Sequence, residues 1–118
     1  NRQSELFTEF FRLLTNNYKQ QRSVMYYAEQ MCLTPRYLSR VTKEFSGRSA
    51  AKWIDIFVVA EIQYQMRYTM RSVQQIAYDM NFPNQSFFGK YFKAVIGNFE
   101  SSKIGKVNST VSQKKIAL

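Results

Sequence analysis

The sequence lacks the residue types on which most catalytic and metal sites depend. It contains no histidine, which is the commonest general base and metal ligand in proteins. The single cysteine, Cys32, excludes a disulfide framework and a cysteine-based zinc site, and it fits a reducing compartment. Without histidine, a second cysteine or clustered carboxylates, no catalytic constellation can be assembled. The sequence therefore predicts no enzymatic activity, no cofactor, no bound metal and a cytoplasmic location.

Long hydrophobic runs and acidic residues are also scarce. No segment reaches the roughly 20 apolar residues of a membrane-spanning helix, and no signal peptide opens the chain, so we expect no membrane contact. Only 8 acidic residues stand against 17 lysines and arginines, which leaves a net charge of +9. Such an excess favours a polyanionic partner, but it is an equally good means of keeping a protein soluble. With 118 residues, the chain can form one domain or two very small ones.

What the chain does contain is a long apolar-rich segment, residues 49–69, without proline or glycine. Its large apolar residues, among them Trp53, Phe57, Ile62 and Met66, recur at helical spacing and cover much of the circumference. A helix that is apolar on most sides normally packs against neighbours on more than one face. At 1.5 Å per residue, this helix should span roughly 30 Å and act as a rigid spacer.

A short module precedes this spacer, and a near-copy of the module follows it. The copies are SVMYYAEQMCLTPRYLSRVTKEFSG at residues 23–47 and SVQQIAYDMNFPNQSFFGKYFKAVIG at residues 72–97. Ser23 corresponds to Ser72, and a single-residue insertion in the second turn then shifts the alignment by one. The class of residue agrees at nearly every apolar position. Two units are too few for a solenoid. The pattern therefore predicts one helical module before the spacer helix and one after it.

Capping residues divide the first module into two short helices. Ser23 is the expected N-cap of the first helix, and Thr34 followed by proline should begin the second. Gly47 should end that second helix. Cys32 lies in the tight turn between the helices, where we expect a small buried hydrophobic residue. Because the turn is short, the two helices should cross steeply, as in a helix-turn-helix.

The same signals place the other helix boundaries. Ser4 is the expected N-cap of an N-terminal helix that ends near residues 16–18. In the second module, Asn81 lies in the turn, where it tolerates left-handed backbone geometry, and Asn84 should cap the last clear helix.

The second helix of each module separates into an apolar face and a polar, mostly basic face. The residues expected to pack inward are Leu38, Val41 and Phe45 in the first module and Phe88, Phe92 and Val95 in the second. The residues expected to face outward are Arg36, Ser39, Arg40 and Lys43 in the first and Gln85, Ser86, Gly89, Lys90 and Lys93 in the second. One such stripe is as consistent with a solvated surface as with a recognition helix that presents side chains to base edges. Its repetition at equivalent positions favours the recognition helix.

The most distinctive stretch is SVQQIAYDMNFPNQSFFGKYFK, and the first module follows its pattern with YYAEQMCLTPRYLSR. With Trp53 and Ile54 opening the spacer, these segments resemble the DNA-binding domain of AraC/XylS-type transcription regulators across about residues 5–97. The resemblance implies an all-α domain over residues 1–97, in which a homeodomain-like pair of helix-turn-helix units is joined by a long central linker helix. It also implies that both units bind one DNA duplex, usually to activate transcription.

Carried over by position, the resemblance assigns the base-reading places. They fall on Arg36, Ser39, Arg40, Gln85, Ser86 and Lys90. Lys43 and Lys93, on the same faces, are placed to meet phosphates. The resemblance further implies RNA polymerase as a partner and an N-terminal sensor or dimerisation domain. If both units lie in successive major grooves, they should contact segments about 10 base pairs apart.

The chain departs from the family pattern in three places. Val58 stands in the spacer where relatives often have arginine, and Ile62 and Gln65 replace a usual alanine and leucine. After Gly97 the expected proline, tyrosine and arginine of a closing helix are absent, so residues 98–118 form an atypical C-terminal tail. This departure leaves a second hypothesis open, a helical protein-interaction module that retains the fold but has lost specific DNA reading.

Overall fold

A computed structural model describes residues 1–102, and the side chains of residues 1–97, and this part of the chain is entirely helical. The helices of the described part are α1 Arg2–Asn17, α2 Val24–Gln30, α3 Pro35–Ser46, α4 Ala50–Tyr68, α5 Val73–Asp79 and α6 Gln85–Ser102. The predicted all-α class, with two helix-turn-helix units, is confirmed. The chain forms two compact units, residues 1–58 and the part from Val59 onward, and α4 contributes residues to both.

Side-chain caps begin most of the helices, and the predicted caps Ser23, Thr34 and Asn84 are confirmed. Ser23, Thr34, Ser72 and Asn84 each accept a hydrogen bond from a backbone N–H in the first turn of α2, α3, α5 and α6. Pro35 follows Thr34 at the first helical position, as expected. Ser72 also forms a capping box, because the Gln75 side chain accepts a hydrogen bond from the Ser72 N–H.

The expected N-cap at Ser4 is wrong. Helix α1 begins one turn earlier, at Arg2, and Asn1 is the residue that caps it. The Asn1 side-chain oxygen accepts a hydrogen bond from the Ser4 N–H at 2.9 Å. Asparagine caps a helix as well as serine does, and nothing in the sequence between the two residues prevents the extra turn.

The turns of the two modules have the same backbone hydrogen bonds. In the first, Cys32 N–H donates to the Glu29 carbonyl at 3.1 Å and Leu33 N–H donates to the Ala28 carbonyl at 2.8 Å. In the second, the N–H groups of Asn81 and Phe82 repeat both bonds. This is the Schellman motif, which needs a left-handed residue after the helix. Cys32 at φ 58° and Asn81 at φ 63° fill that place.

Cys32 is exposed, so the expectation that it is buried is wrong. A residue in the left-handed position after a helix lies where the chain leaves the packed surface, so its backbone role decides its exposure rather than its apolar character.

Each unit has its own apolar core. The buried side chains of the first unit include Leu6, Phe10 and Leu14 of α1, Tyr27 and Ala28 of α2, Leu38 and Val41 of α3, and Ile54 and Val58 of α4. Those of the second unit include Ile62 and Met66 of α4, Ile76 and Ala77 of α5, and Phe88, Phe92, Val95 and Ile96 of α6. Within the first unit, the buried Tyr27 hydroxyl donates to the Gln21 carbonyl at 2.8 Å, and burial raises the pKa of this phenol.

Phe45 departs from the predicted inward stripe. Its side chain is 45% exposed, although its ring lies 5.2 Å from that of Phe7. Helix α3 ends at Ser46, directly after Phe45. A side chain in the last turn of a helix has fewer neighbours to cover it. Phe45 therefore borders the core of the first unit rather than filling it.

Gln65, one of the departures from the family pattern, is only 8% exposed. Its Nε2 donates to Glu61 Oε2 at 2.9 Å, and its Oε1 is buried with no hydrogen-bond partner among the described residues. A buried acceptor without a partner costs stability, so an apolar residue would suit this place better.

Helix α6 continues through Gly97, whereas the sequence pattern placed the end of the second module there. Gly97 is aligned with Gly47, which adopts φ 87° and does end α3. No proline or second glycine follows Gly97 before Ser102, so α6 has no local reason to stop. The domain boundary at residue 97 stays a prediction, and residues 103–118 of the predicted tail lie outside the described residues.

These two glycines should therefore respond oppositely to alanine. Gly97→Ala should raise the free energy of unfolding by about 0.5–1 kcal/mol, because glycine weakens a helix interior and the added methyl group meets no atom within 4 Å. Gly47→Ala should lower it by about 1 kcal/mol, because alanine disfavours the left-handed backbone. Urea unfolding followed by far-UV circular dichroism measures both. Effects of the same sign would contradict this assignment of the two glycines.

Candidate nucleic-acid interface

Helix α3 presents a cationic face to solvent. Arg36, Arg40 and Lys43 are exposed and Ser39 is half-buried. Leu38 on the other side of the helix is fully buried. The structure thus brings the four predicted residues of the first module onto one accessible face of a single helix.

The guanidinium of Arg40 is held by a neighbour that the sequence pattern did not identify. Its Cζ lies 5.1 Å from the centre of the Tyr37 ring, within the range of a cation–π contact. Tyr37 precedes Arg40 by three residues, so the two side chains share one side of the helix. An aromatic residue three positions before an arginine on a predicted helix was the sequence signal that could have suggested this contact. Tyr37 therefore limits the directions in which Arg40 can extend.

Helix α6 carries the second set of predicted residues. Ser86, Lys90 and Lys93 are exposed, and Gln85 is half-buried. Gly89 is buried, so its predicted place on the outward face is wrong. It lies four residues after Gln85 and three before the buried Phe92, which puts it at the border of the packed side. The accessible face of α6 is correspondingly narrower than predicted.

Phe87 is a second residue that the sequence pattern missed. It lies in the first turn of α6, beside Ser86, and its side chain is 51% exposed. Its neighbour Phe88 is fully buried, so the pair of phenylalanines spans the boundary between core and surface. The sequence shows a phenylalanine next to the polar face of α6, and this was the available signal. Helical periodicity alone assigns such a residue to the border between the apolar and polar faces, so it did not predict that Phe87 is exposed.

Other classes of site have little support in the described residues. Histidine, cysteine, aspartate and glutamate nowhere gather in threes there as a metal site would require. No helix among residues 1–102 has both the length and the apolar character needed to cross a membrane.

The comparisons with known proteins agree with this geometry. The model of a family described as a helix-turn-helix domain matches residues 27–99. The HTH-type transcriptional activator RhaS of Mannheimia succiniciproducens is 31% identical over 85 residues, which are 72% of this chain and 32% of the relative. The chain thus spans about a third of that relative's length. No solved structure gives a significant match. Since the family match takes in most of both modules and well over half of the 118 residues, the chain belongs to the helix-turn-helix family, in its AraC/XylS type.

Proposed function

We propose that this transcription regulator binds double-stranded DNA sequence-specifically, with α3 and α6 as its recognition helices, and that it activates transcription. The observation that carries the proposal is the same division of both helices into a buried apolar side and an exposed basic side, repeated in two modules with the same turn. The name of the relative, a transcriptional activator, supports activation.

Base reading falls to the side chains near the N-terminal ends of the two helices. In the first unit, the forked guanidinium groups of Arg36 and Arg40 can each donate two hydrogen bonds to O6 and N7 of a guanine. The Ser39 hydroxyl can donate a hydrogen bond to a base edge or accept one from it. The proposed base-reading side chains of the second unit, Gln85, Ser86 and Lys90, have different chemistry. A glutamine amide pairs with N6 and N7 of adenine. The two units should therefore prefer different sequences, with the first more selective for guanine.

Phosphate binding falls to Lys43 and Lys93, the equivalent exposed lysines of the two helices. Each lies three residues, a little under one helical turn, beyond the last base-reading residue of its helix. Towards its C-terminal end, a helix lying in a groove approaches the DNA backbone. Neutralising a phosphate releases counterions, so these contacts supply affinity without sequence preference.

Lys93→Ala should weaken binding to all duplexes about equally and reduce the slope of log affinity against log salt by roughly one unit. Titrations at several salt concentrations, with a preferred and a scrambled duplex, measure this change. Arg12→Ala is the matched control, because it removes an exposed positive charge on α1, outside both recognition helices, that already pairs with Glu9. A changed base preference with an unchanged salt slope would instead make Lys93 a base-reading residue.

Two partners belong to the proposal because activation and regulation need them. An activator must increase transcription by RNA polymerase, so we include contact with that enzyme. A signal must also reach the DNA-binding domain, and an N-terminal sensor or dimerisation domain would supply it. Coexpression of the chain with a reporter gene preceded by the selected site tests activation.

Selection from a pool of random duplexes tests the central claim. We expect enrichment of one sequence that the 118-residue chain binds tightly, in a salt-dependent way, and in preference to its scrambled version. Equal binding of selected and scrambled duplexes would contradict specific reading. It would favour the second hypothesis, a protein-interaction module that retains this fold.

A further inference from the structure

Phe87 occupies the part of α6 that is nearest to its N-terminus. Its backbone N–H donates to the Asn84 side chain at 2.8 Å, which places Phe87 in the first turn. The first turns of a recognition helix are the part that contacts base edges. Ser86, directly before it, and Lys90, three residues after it, are exposed polar residues. Phe87 is therefore an apolar, half-exposed ring within a polar and basic surface.

The ring is anchored on one side. Its centre lies 6.5 Å from that of Phe82, a turn residue that is only 6% exposed. Phe82 itself packs against Phe88 at 5.0 Å and Tyr91 at 5.3 Å. A ring that rests on a fixed neighbour loses little conformational freedom when its open side is covered.

The equivalent residue of the first module is used differently. Tyr37 aligns with Phe87, but its ring is half-buried beneath the Arg40 guanidinium and it carries a hydroxyl group. In α3 the aromatic ring supports a polar reading group. In α6 the ring is more exposed, and phenylalanine has no hydrogen-bonding group with which to read a base.

The major groove offers one prominent apolar group to such a ring, the 5-methyl group of thymine. We propose that Phe87 is a specificity-determining residue that packs against a thymine 5-methyl group in the segment contacted by the second unit. This inference rests on the proposed function, because it requires α6 to enter a major groove. It adds a preference for thymine that Gln85, Ser86 and Lys90 do not provide.

The test replaces thymines of the selected duplex, one at a time, by deoxyuridine, which lacks only the 5-methyl group. One thymine should be sensitive, with a loss of about fourfold in affinity, the equivalent of one buried methyl group. Phe87→Ala should bind the thymine and deoxyuridine duplexes equally. Phe87→Leu, which keeps an apolar side chain, should retain part of the difference. Tyr37→Ala is the matched control and should leave the sensitivity at that thymine unchanged.

The possible outcomes distinguish a failure of the Phe87 assignment from a failure of the proposed sequence-specific DNA binding. If the chain shows no preference for any duplex, specific DNA reading fails, and the inference fails with it. If specific binding holds but Phe87→Ala retains the full sensitivity to every thymine methyl group, the inference alone is overturned. The segment that the second unit contacts can be recognised by the base pairs whose preference is lost in Lys90→Ala. If that segment of the selected site contains no thymine, the inference is overturned as well.

Discussion

Arg40→Ala should cost on the order of 1–3 kcal/mol of binding free energy on the preferred duplex, and far less on random DNA. Arg40 is exposed on the face of α3 that lies opposite the buried Leu38, and the Tyr37 ring restricts its guanidinium. A restricted guanidinium loses less entropy when it grips a guanine through two hydrogen bonds. The expected loss is therefore specific to the base that Arg40 reads.

Arg40→Lys is the matched control for this prediction. Lysine keeps the positive charge but lacks the planar fork that binds O6 and N7 together. Fluorescence anisotropy with the preferred and a scrambled duplex should show that Arg40→Lys loses much of the preference while it keeps most of the non-specific affinity. Equal losses on both duplexes in Arg40→Ala would make Arg40 a phosphate contact.

Phe88→Ala should destabilise the second unit by about 3–5 kcal/mol, since it leaves a cavity where a fully buried ring was. The Phe88 ring lies 5.0 Å from that of Phe82 and is stacked on Phe92 at 6.2 Å. A loss of this size is a large fraction of the stability of a small domain. Hydrogen exchange of the amides of α5 and α6 measures it within this unit.

The adjacent substitution Phe87→Ala is the control, because it removes the same side chain from a half-exposed place. It should reduce protection of the same amides far less than Phe88→Ala. Similar losses for the two variants would mean that Phe87 belongs to the core, and that its exposure has no bearing on DNA reading.

Local chemistry explains why much of the fold could be predicted from the sequence. Thr34, Gly47 and Asn84 act through backbone groups within a few residues, so their roles follow from position alone. The repeat added further information, because each module supports the interpretation of the other. The accessible faces of α3 and α6 were predictable for the same reason.

The predictions that proved wrong concern residues whose exposure depends on tertiary packing, which the repeated sequence pattern does not specify. Phe45 fits the apolar period, but it lies at the end of α3, where few neighbours cover it. Gly89 fits the outward stripe, yet it borders the packed side of α6. The contacts of Arg40 with Tyr37 and of Phe87 with Phe82 could not be predicted from sequence spacing alone. Such ring contacts depend on side-chain direction as well as on spacing.

The exposed thiol of Cys32 gives the protein a single chemical handle. It is the chain's one cysteine, and it lies in the left-handed turn between α2 and α3. A maleimide dye should therefore attach at one known atom, close in sequence to Arg36, without a prior substitution to remove competing thiols. Energy transfer from that dye to labels along a duplex would then give the position and direction of the first unit on its site.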